Sequence, residues 1–195
     1  MHVLYLYCHP LPESFHAAIL KESLAGLAEA GHAVDLLDLY KENFNPVLSE
    51  QDRRDYHDLD RNQRGLESYI DRLRKADALV VQFPTWTFGM PAMLKGYFDR
   101  LMMPGVAFDL SEPSNAKPML TNIKTVMGVS TYGRPRWVAM YVGDPPRRTV
   151  TRYLPRLMAR RCRVSYHALY HMNVASLTQR ISFLERVRGA MRDLA

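Results

Sequence analysis

The chain has 195 residues, 47% apolar and 24% charged, which is ordinary globular usage, argues against disorder and suits one domain over residues 1–195. No apolar run approaches roughly eighteen residues, so no membrane span is expected, and two cysteines, Cys8 and Cys162, are too few for a disulfide scaffold and point to a reducing cytoplasm. The net charge of +6 is unevenly divided: residues 1–133 carry 13 basic and 17 acidic side chains, residues 134–195 carry 13 arginines and 3 acids.

The first element, His2 to Cys8, is a continuous apolar and aromatic run, as expected of a strand buried on both faces, and it lacks the flanks of a secretion signal. Prolines at 10 and 12 enforce a loop, and Ser14 is a good N-cap for a helix whose apolar face reads Leu20, Ser23, Leu24, Leu27 and Ala28. Gly31 stops that helix, and a second strand runs from Ala33 to about Leu39. Strand, helix and strand in this order predict a parallel βαβ unit. Residues 40–62 read as an irregular surface excursion ending in Asp52, Asp55, Asp58 and Asp60.

A helix with Leu66, Tyr69, Ile70 and Leu73 on one face leads into the clearest buried strand, Ala78 to Phe83. Pro84 to Gly89 breaks that strand. Pro91 then opens a helix facing inward with Leu94, Tyr97, Phe98 and Leu101. Residues 104–121 form a long proline-containing connection to a fourth strand, Lys124 to Ser130, and Thr131 to Pro135 is a loop. Val150, Tyr153, Leu154, Leu157 and Met158 make a helical stripe kinked at Pro155. Arg163 to Tyr170 is the fifth strand. Ser176 caps a last helix with the stripe Leu177, Ile181, Leu184, Val187, Met191 and Leu194. Five strands alternating with five helices predict a three-layer α/β sandwich with helices on both faces of a parallel sheet.

Ligands of open parallel sheets bind beyond the carboxyl ends of the strands. Three loops leave such ends here: 8–14, 84–90 and 131–136. The first feeds a helix N-terminus, where free amides and the helix dipole favour a phosphate, with Ser14 and His9 as side-chain donors; Ser14 serves equally as a plain cap. The second places Trp86 and Phe88 at a strand end, either as cover for the core or as flanks of a flat aromatic ligand. The third offers Thr131, Tyr132 and Gly133, with the Tyr132 phenol as a candidate proton donor.

Neither G-x-G-x-x-G nor the P-loop pattern occurs, so phosphate binding would rest on hydroxyls and helix amides. A cysteine-dependent phosphatase needs an arginine six positions after its cysteine; counting from Cys8 gives Ser14, which rejects it. His167 and His171 fall on or just after a strand, where they need not converge on a metal, and no metal is expected. The arginine-rich last third lacks aromatic interleaving, so no nucleic-acid partner is expected. Arg134 and Arg136, beside the third loop, are candidates to meet a phosphorylated ligand, whereas Arg147, Arg148, Arg152, Arg156, Arg160, Arg161 and Arg163 read as a solvated face.

Three stretches together carry a resemblance: His9-x-x-Pro12-x-Ser14-Phe15, Gln82-Phe83-Pro84-x-Trp86-x-Phe88-Gly89-x-Pro91-Ala92-x-Leu94-Lys95-Gly96-Tyr97-Phe98-Asp99-Arg100, and Pro104-Gly105-x-Ala107-Phe108. Over roughly residues 1–135 the chain resembles the NAD(P)H:quinone oxidoreductases of flavodoxin-like fold, a family that includes ancillary proteins of bacterial potassium-efflux systems. The resemblance implies a five-stranded sheet of order 2-1-3-4-5 and a homodimer. It implies a bound flavin, FAD or FMN, that passes hydride from NAD(P)H to a quinone or similar acceptor in ping-pong turnover. A regulatory subunit of a transporter partner, with little turnover of its own, is the alternative. Carried over by motif, His9, Ser14 and Phe15 contact the flavin phosphate end. Pro84, Thr85, Trp86, Thr87 and Phe88 line the isoalloxazine edge, and Thr131, Tyr132 and Gly133 close the other side. The third loop departs from the better-known branch: it is shorter in glycine and no histidine follows within thirty residues.

Overall fold

A computed structural model of the chain describes residues 1–112 and 115–194. Five strands form one sheet: β1 (His2–Tyr7), β2 (Ala33–Asp38), β3 (Ala78–Pro84), β4 (Thr125–Thr131) and β5 (Arg163–Leu169). All neighbours pair in parallel, in the order β2-β1-β3-β4-β5 that the resemblance implies. Every residue of β3 and β4 is buried, which is why these segments read as unbroken rather than alternating apolar runs.

The strand pleat sorts the core into two halves. On one face Leu4, Leu6, Leu79, Val81 and Phe83 pack against α3 (Glu67–Lys75) and α4 (Ala92–Leu101). On the other, Val3, Tyr5, Val80, Met127 and Val129 pack against α1 (Phe15–Glu29) and α7 (Leu177–Arg192). Each fully buried Leu, Val or Phe side chain contributes about 1.5–3 kcal/mol, so this two-sided core is the main force behind the layered fold.

The excursion at 40–62 is more ordered than its sequence suggests. It holds α2 (Glu50–Asp55), fixed by a capping box in which Asp52 N–H donates to Ser49 Oγ at 3.0 Å and Ser49 N–H donates to Asp52 Oδ2 at 2.9 Å. It packs so tightly on α4 that a Cβ on Gly96 would lie 2.1 Å from the Pro46 carbonyl oxygen. Within the 104–121 connection, Phe108–Asp109 and Lys117–Pro118 pair antiparallel; Pro113 lies outside the described residues.

Three helical readings are corrected by the fold. A short α5 (Arg136–Tyr141) follows the third loop, where no helix was expected. The 150–158 stripe is not one kinked helix: α6 (Pro145–Arg148) passes into a π turn (Thr149–Tyr153) and a 3-10 turn (Leu154–Leu157). Pro155 has no N–H for a regular ladder; Val150, Leu154, Leu157 and Met158 face the core while Tyr153 is exposed. The predicted helix faces also rotate. In α1 the buried residues are His16, Ile19, Ser23, Gly26 and Leu27, and in α7 they are Phe183, Val187 and Met191, leaving Leu177 and Ile181 exposed. No helix among the described residues is long and apolar enough to cross a membrane.

Candidate functional site

The parallel register brings Tyr7 beside Gln82 and Pro84 beside Thr131, so β1, β3 and β4 end along one edge of the sheet. The loops 8–14, 85–91 and 132–135 leave from this edge. Cys8, at its base, is fully buried and burial pushes its thiol up to about 12, so it is a packed hydrophobe and not a nucleophile.

In the first loop, Ser14 adopts extended backbone and its Oγ accepts from Ala17 N–H at 3.2 Å. Its role as cap is therefore real. The first turn of the 15-residue α1 contains no acidic residue, and the Phe15 and His16 amides have no hydrogen-bond partner among the described residues. An anion at this point would meet both free amides and an uncompensated dipole. The Phe15 ring itself turns inward onto Phe183, with ring centroids 6.3 Å apart. His9 Nδ1 accepts from Leu11 N–H at 3.1 Å, its ring stacks on His16 at 5.4 Å, and Trp86 lies 6.1 Å away. Burial lowers the His9 pKa, favouring its neutral form.

In the second loop, Trp86 and Gly89 exchange both backbone hydrogen bonds, at 3.1 and 2.8 Å. The two residues between them, Thr87 and Phe88, have φ of 50° and 55°. This is the geometry of a type I′ turn, built without the glycine or asparagine that such turns favour. Left-handed backbone costs a residue with a Cβ about 1–2 kcal/mol. The turn leaves the Thr87 and Phe88 amides without partners among the described residues, and holds Trp86 43% exposed beside them. Thr85 ties this loop to the third one: its N–H donates to Thr131 O at 2.9 Å, and its hydroxyl lies 3.1 Å from Ser130 Oγ.

Beneath the edge lies a polar chain that the motif reading did not single out. Tyr5 OH donates to Gln82 Oε1. Gln82 Nε2 donates to the His16 carbonyl at 2.6 Å and lies 3.2 Å from His16 Nδ1. His16 Nε2 lies 2.9 Å from Thr131 Oγ1. Because Gln82 offers an N–H to Nδ1, the proton of the neutral ring sits on Nε2 and points at Thr131. Thr131 Oγ1 thus accepts from below, and its own O–H is left to donate. His16 is 2% exposed, and burial lowers its pKa to about 3. The signal was present in the sequence: Gln82 is the single polar residue of Ala-Leu-Val-Val-Gln-Phe-Pro, and a buried amide needs partners.

The third loop divides at its first two residues. Thr131 joins the His16 chain, whereas Tyr132 points to the opposite face. There Tyr132 OH donates to Asp144 Oδ1 at 2.7 Å, lies 2.8 Å from Tyr166 OH, and its ring stacks on Tyr170 at 4.5 Å. Tyr132 is 2% exposed, and burial with its neighbours raises its pKa far above the ordinary phenol value. In this arrangement its hydroxyl is enclosed and committed to Asp144, which corrects the expectation that it is presented to a ligand as a proton donor. Tyr166 fits against β4 only because residue 128 is glycine; a Cβ there would lie 2.4 Å from the Tyr166 ring. Gly133 sits against Asn173. Of the expected site residues, the fold gathers His9, Ser14, Pro84, Thr85, Trp86, Thr87, Phe88 and Thr131 at one edge, with Gly133 following, while the side chains of Phe15 and Tyr132 turn into the interior.

Comparison with known proteins agrees with this architecture. The family model described as flavodoxin-like fold matches residues 1–193. The protein named uncharacterized NAD(P)H oxidoreductase YcaK of Escherichia coli (strain K12) is 33% identical over 140 residues, covering 71% of this chain and 63% of that protein. Smu.1420 from Streptococcus mutans UA159 superposes with a TM-score of 0.87 at 30% identity, covering 100% of both chains. The NAD(P)H:quinone oxidoreductase from Methanothermobacter marburgensis superposes with a TM-score of 0.80 at 26% identity, covering 99% of this chain and 95% of that one. The first curated relatives are longer, and the match spans 49% to 63% of their length. The chain belongs to the flavodoxin-like fold family, among relatives named NAD(P)H oxidoreductases and quinone reductases.

Proposed function

We propose that residues 1–195 form one flavin-binding domain of a cytoplasmic NAD(P)H oxidoreductase that acts on a quinone or similar acceptor. The observation that carries this reading is the rigid Trp86–Gly89 turn, which holds two unpartnered amides and an exposed indole on the same edge as the α1 N-terminus. That donor set suits a flavin at both ends: free amides for the phosphate, and amides beside a flat aromatic surface for the heteroatom edge of the ring system. Bound there, a flavin supplies the two-electron chemistry between NAD(P)H and the acceptor.

The chain's own contribution is to bind and orient. The Phe15 and His16 amides, with Ser14 at the cap, hold the phosphate end. Thr85 to Phe88 form one wall, and Pro84 anchors it in the sheet. Thr131, set as a donor by His16, presents its hydroxyl from the other side, with Gly133 keeping that loop narrow. The neutral His9 bridges the walls through its contacts with His16 and Trp86. Exposed Trp137, Met140 and Tyr141 on α5, with Val174, Leu177 and Ile181 near the start of α7, support a homodimer.

The test is an absorption spectrum of the purified protein. It is expected to be yellow, to bleach with NAD(P)H and to recolour with a quinone; chromatography of the released cofactor distinguishes FMN from FAD. A colourless protein that takes up no added flavin overturns the reading. The enclosed Tyr132 favours a second reading, a flavin-binding regulatory subunit of a partner such as a potassium-efflux transporter. It predicts bound flavin with negligible quinone reduction.

A further inference from the structure

The arginines of the last third do not simply form a solvated face. Arg147, Arg148 and Arg152 turn with Arg136 of α5 onto one cavity of about 380 Å³, a volume within the range of small-ligand pockets. Arg136 and Arg147 are shared with a neighbouring cavity of about 370 Å³ along β5, which adds Arg186. Among the described residues, Arg136, Arg148 and Arg152 have no carboxylate partner. The one acid in the first cavity's wall is Asp144, and it is already engaged: Tyr132 OH donates to it at 2.7 Å and Tyr170 OH at 3.4 Å. Arg147 is held in place by the Tyr166 ring, whose centroid lies 5.6 Å from its guanidinium carbon.

Four guanidinium groups around one concavity repel one another, and a single compensated carboxylate does not offset them. Such a cleft concentrates field lines and attracts anions. The planar fork of arginine matches phosphate oxygens, and a pre-positioned Arg147 reduces the ordering needed on binding. The cavity is also joined to the cofactor edge: Asp144 in its wall is bonded to Tyr132, the residue after Thr131.

We propose that this cavity binds the 2′-phosphate of an adenine nucleotide. Resting on the oxidoreductase reading, that nucleotide is NADPH, its 2′-phosphate is the group held, and the arginines select NADPH over NADH.

The experiment is calorimetric titration of the full chain, flavin-loaded where flavin binds, with adenosine 2′,5′-bisphosphate and with 5′-AMP, which lacks only the 2′-phosphate. The bisphosphate is expected to bind about tenfold tighter or more. Arg148→Ala and Arg152→Ala, both without ion pairs to lose, are expected to remove most of that difference and leave 5′-AMP binding unchanged. Arg160→Ala, exposed and outside the cavity, is expected to change neither. Equal binding of the two ligands overturns the proposal, as does an equal loss in Arg160→Ala, which would mean general surface charge. Displacement by orthophosphate at the bisphosphate's own concentration also overturns it, since the site would then take a free anion. A yellow protein without discrimination sinks the cavity assignment alone; discrimination in a chain that binds no flavin sinks the oxidoreductase reading and leaves the phosphate site standing.

Discussion

Thr131 and Tyr132 are neighbours in the chain, yet they anchor two polar clusters on opposite sides of the sheet. The Thr131 side is buried and uncharged: Tyr5, Gln82 and His16 bond one another in a chain that ends at Thr131. The Tyr132 side surrounds a carboxylate with phenols and places arginines around an open cavity. The difference teaches how one strand end serves two tasks. A neutral network fixes direction, because each member dictates its neighbour's donor or acceptor role. A charged network sets attraction, because its unpaired cations act on whatever enters.

The comparison is most sharply tested by pH. Below pH 6.5 the unfolded chain protonates His16, whereas the folded chain resists until about pH 3. Stability is therefore complete above pH 6.5 and is lost as pH falls through this window, by about 1.4 kcal/mol per unit, or roughly 5 kcal/mol across it. Urea unfolding from pH 7.5 down to 4 is expected to show this slope. His16→Gln, which keeps a donor and an acceptor without titrating, is expected to flatten it.

A smaller but still large effect is expected from Gln82→Leu. It leaves the Tyr5 hydroxyl without its acceptor and His16 Nδ1 without its donor, at a cost of about 2–4 kcal/mol in urea unfolding at neutral pH. On the other side, Tyr132→Phe removes one donor from Asp144 and should cost about 2 kcal/mol. A loss below about 0.5 kcal/mol would mean that the phenols of Tyr132 and Tyr170 are interchangeable there. The smallest change is expected at the cavity rim. Arg152→Ala should alter stability by no more than about 0.5 kcal/mol at physiological salt, and raise the melting temperature slightly at low salt as repulsion is relieved. If the arginine variant is instead the more damaging one, the division between a structural cluster and a ligand-directed cluster fails.

The sheet was legible because strands buried on both faces leave unbroken apolar runs, as at Ala78–Phe83. The edge from which the three loops leave was legible because prolines, glycines and loop aromatics mark the strand ends. What escaped has physical reasons. An apolar stripe states that a face exists but not what covers it, so the α7 stripe includes Leu177 and Ile181, which the fold leaves exposed. The side to which Tyr132 turns is not written in the loop Thr131-Tyr132-Gly133, because one step along a strand end reverses the direction of a side chain. His16 went unnoticed because a lone histidine after a helix cap carries no signal until the partner opposite it, Gln82, is known. The break into a π turn at Thr149–Tyr153 and a 3-10 turn at Leu154–Leu157 leaves an apolar stripe with nearly helical spacing, so the sequence alone does not show it.

The left-handed pair Thr87–Phe88 has a consequence for engineering. Thr87→Asn with Phe88→Gly would relax the backbone and give a chain that melts higher. Yet the same relaxation would let the turn sample other shapes, so a ligand resting on its two amides would have to freeze that motion itself. Thermal melts with and without bound flavin are expected to diverge: a hardier empty protein, and a smaller gain when the ligand is added. Residues that look like poor choices for a tight turn are, on this account, what keeps the edge ready before anything arrives.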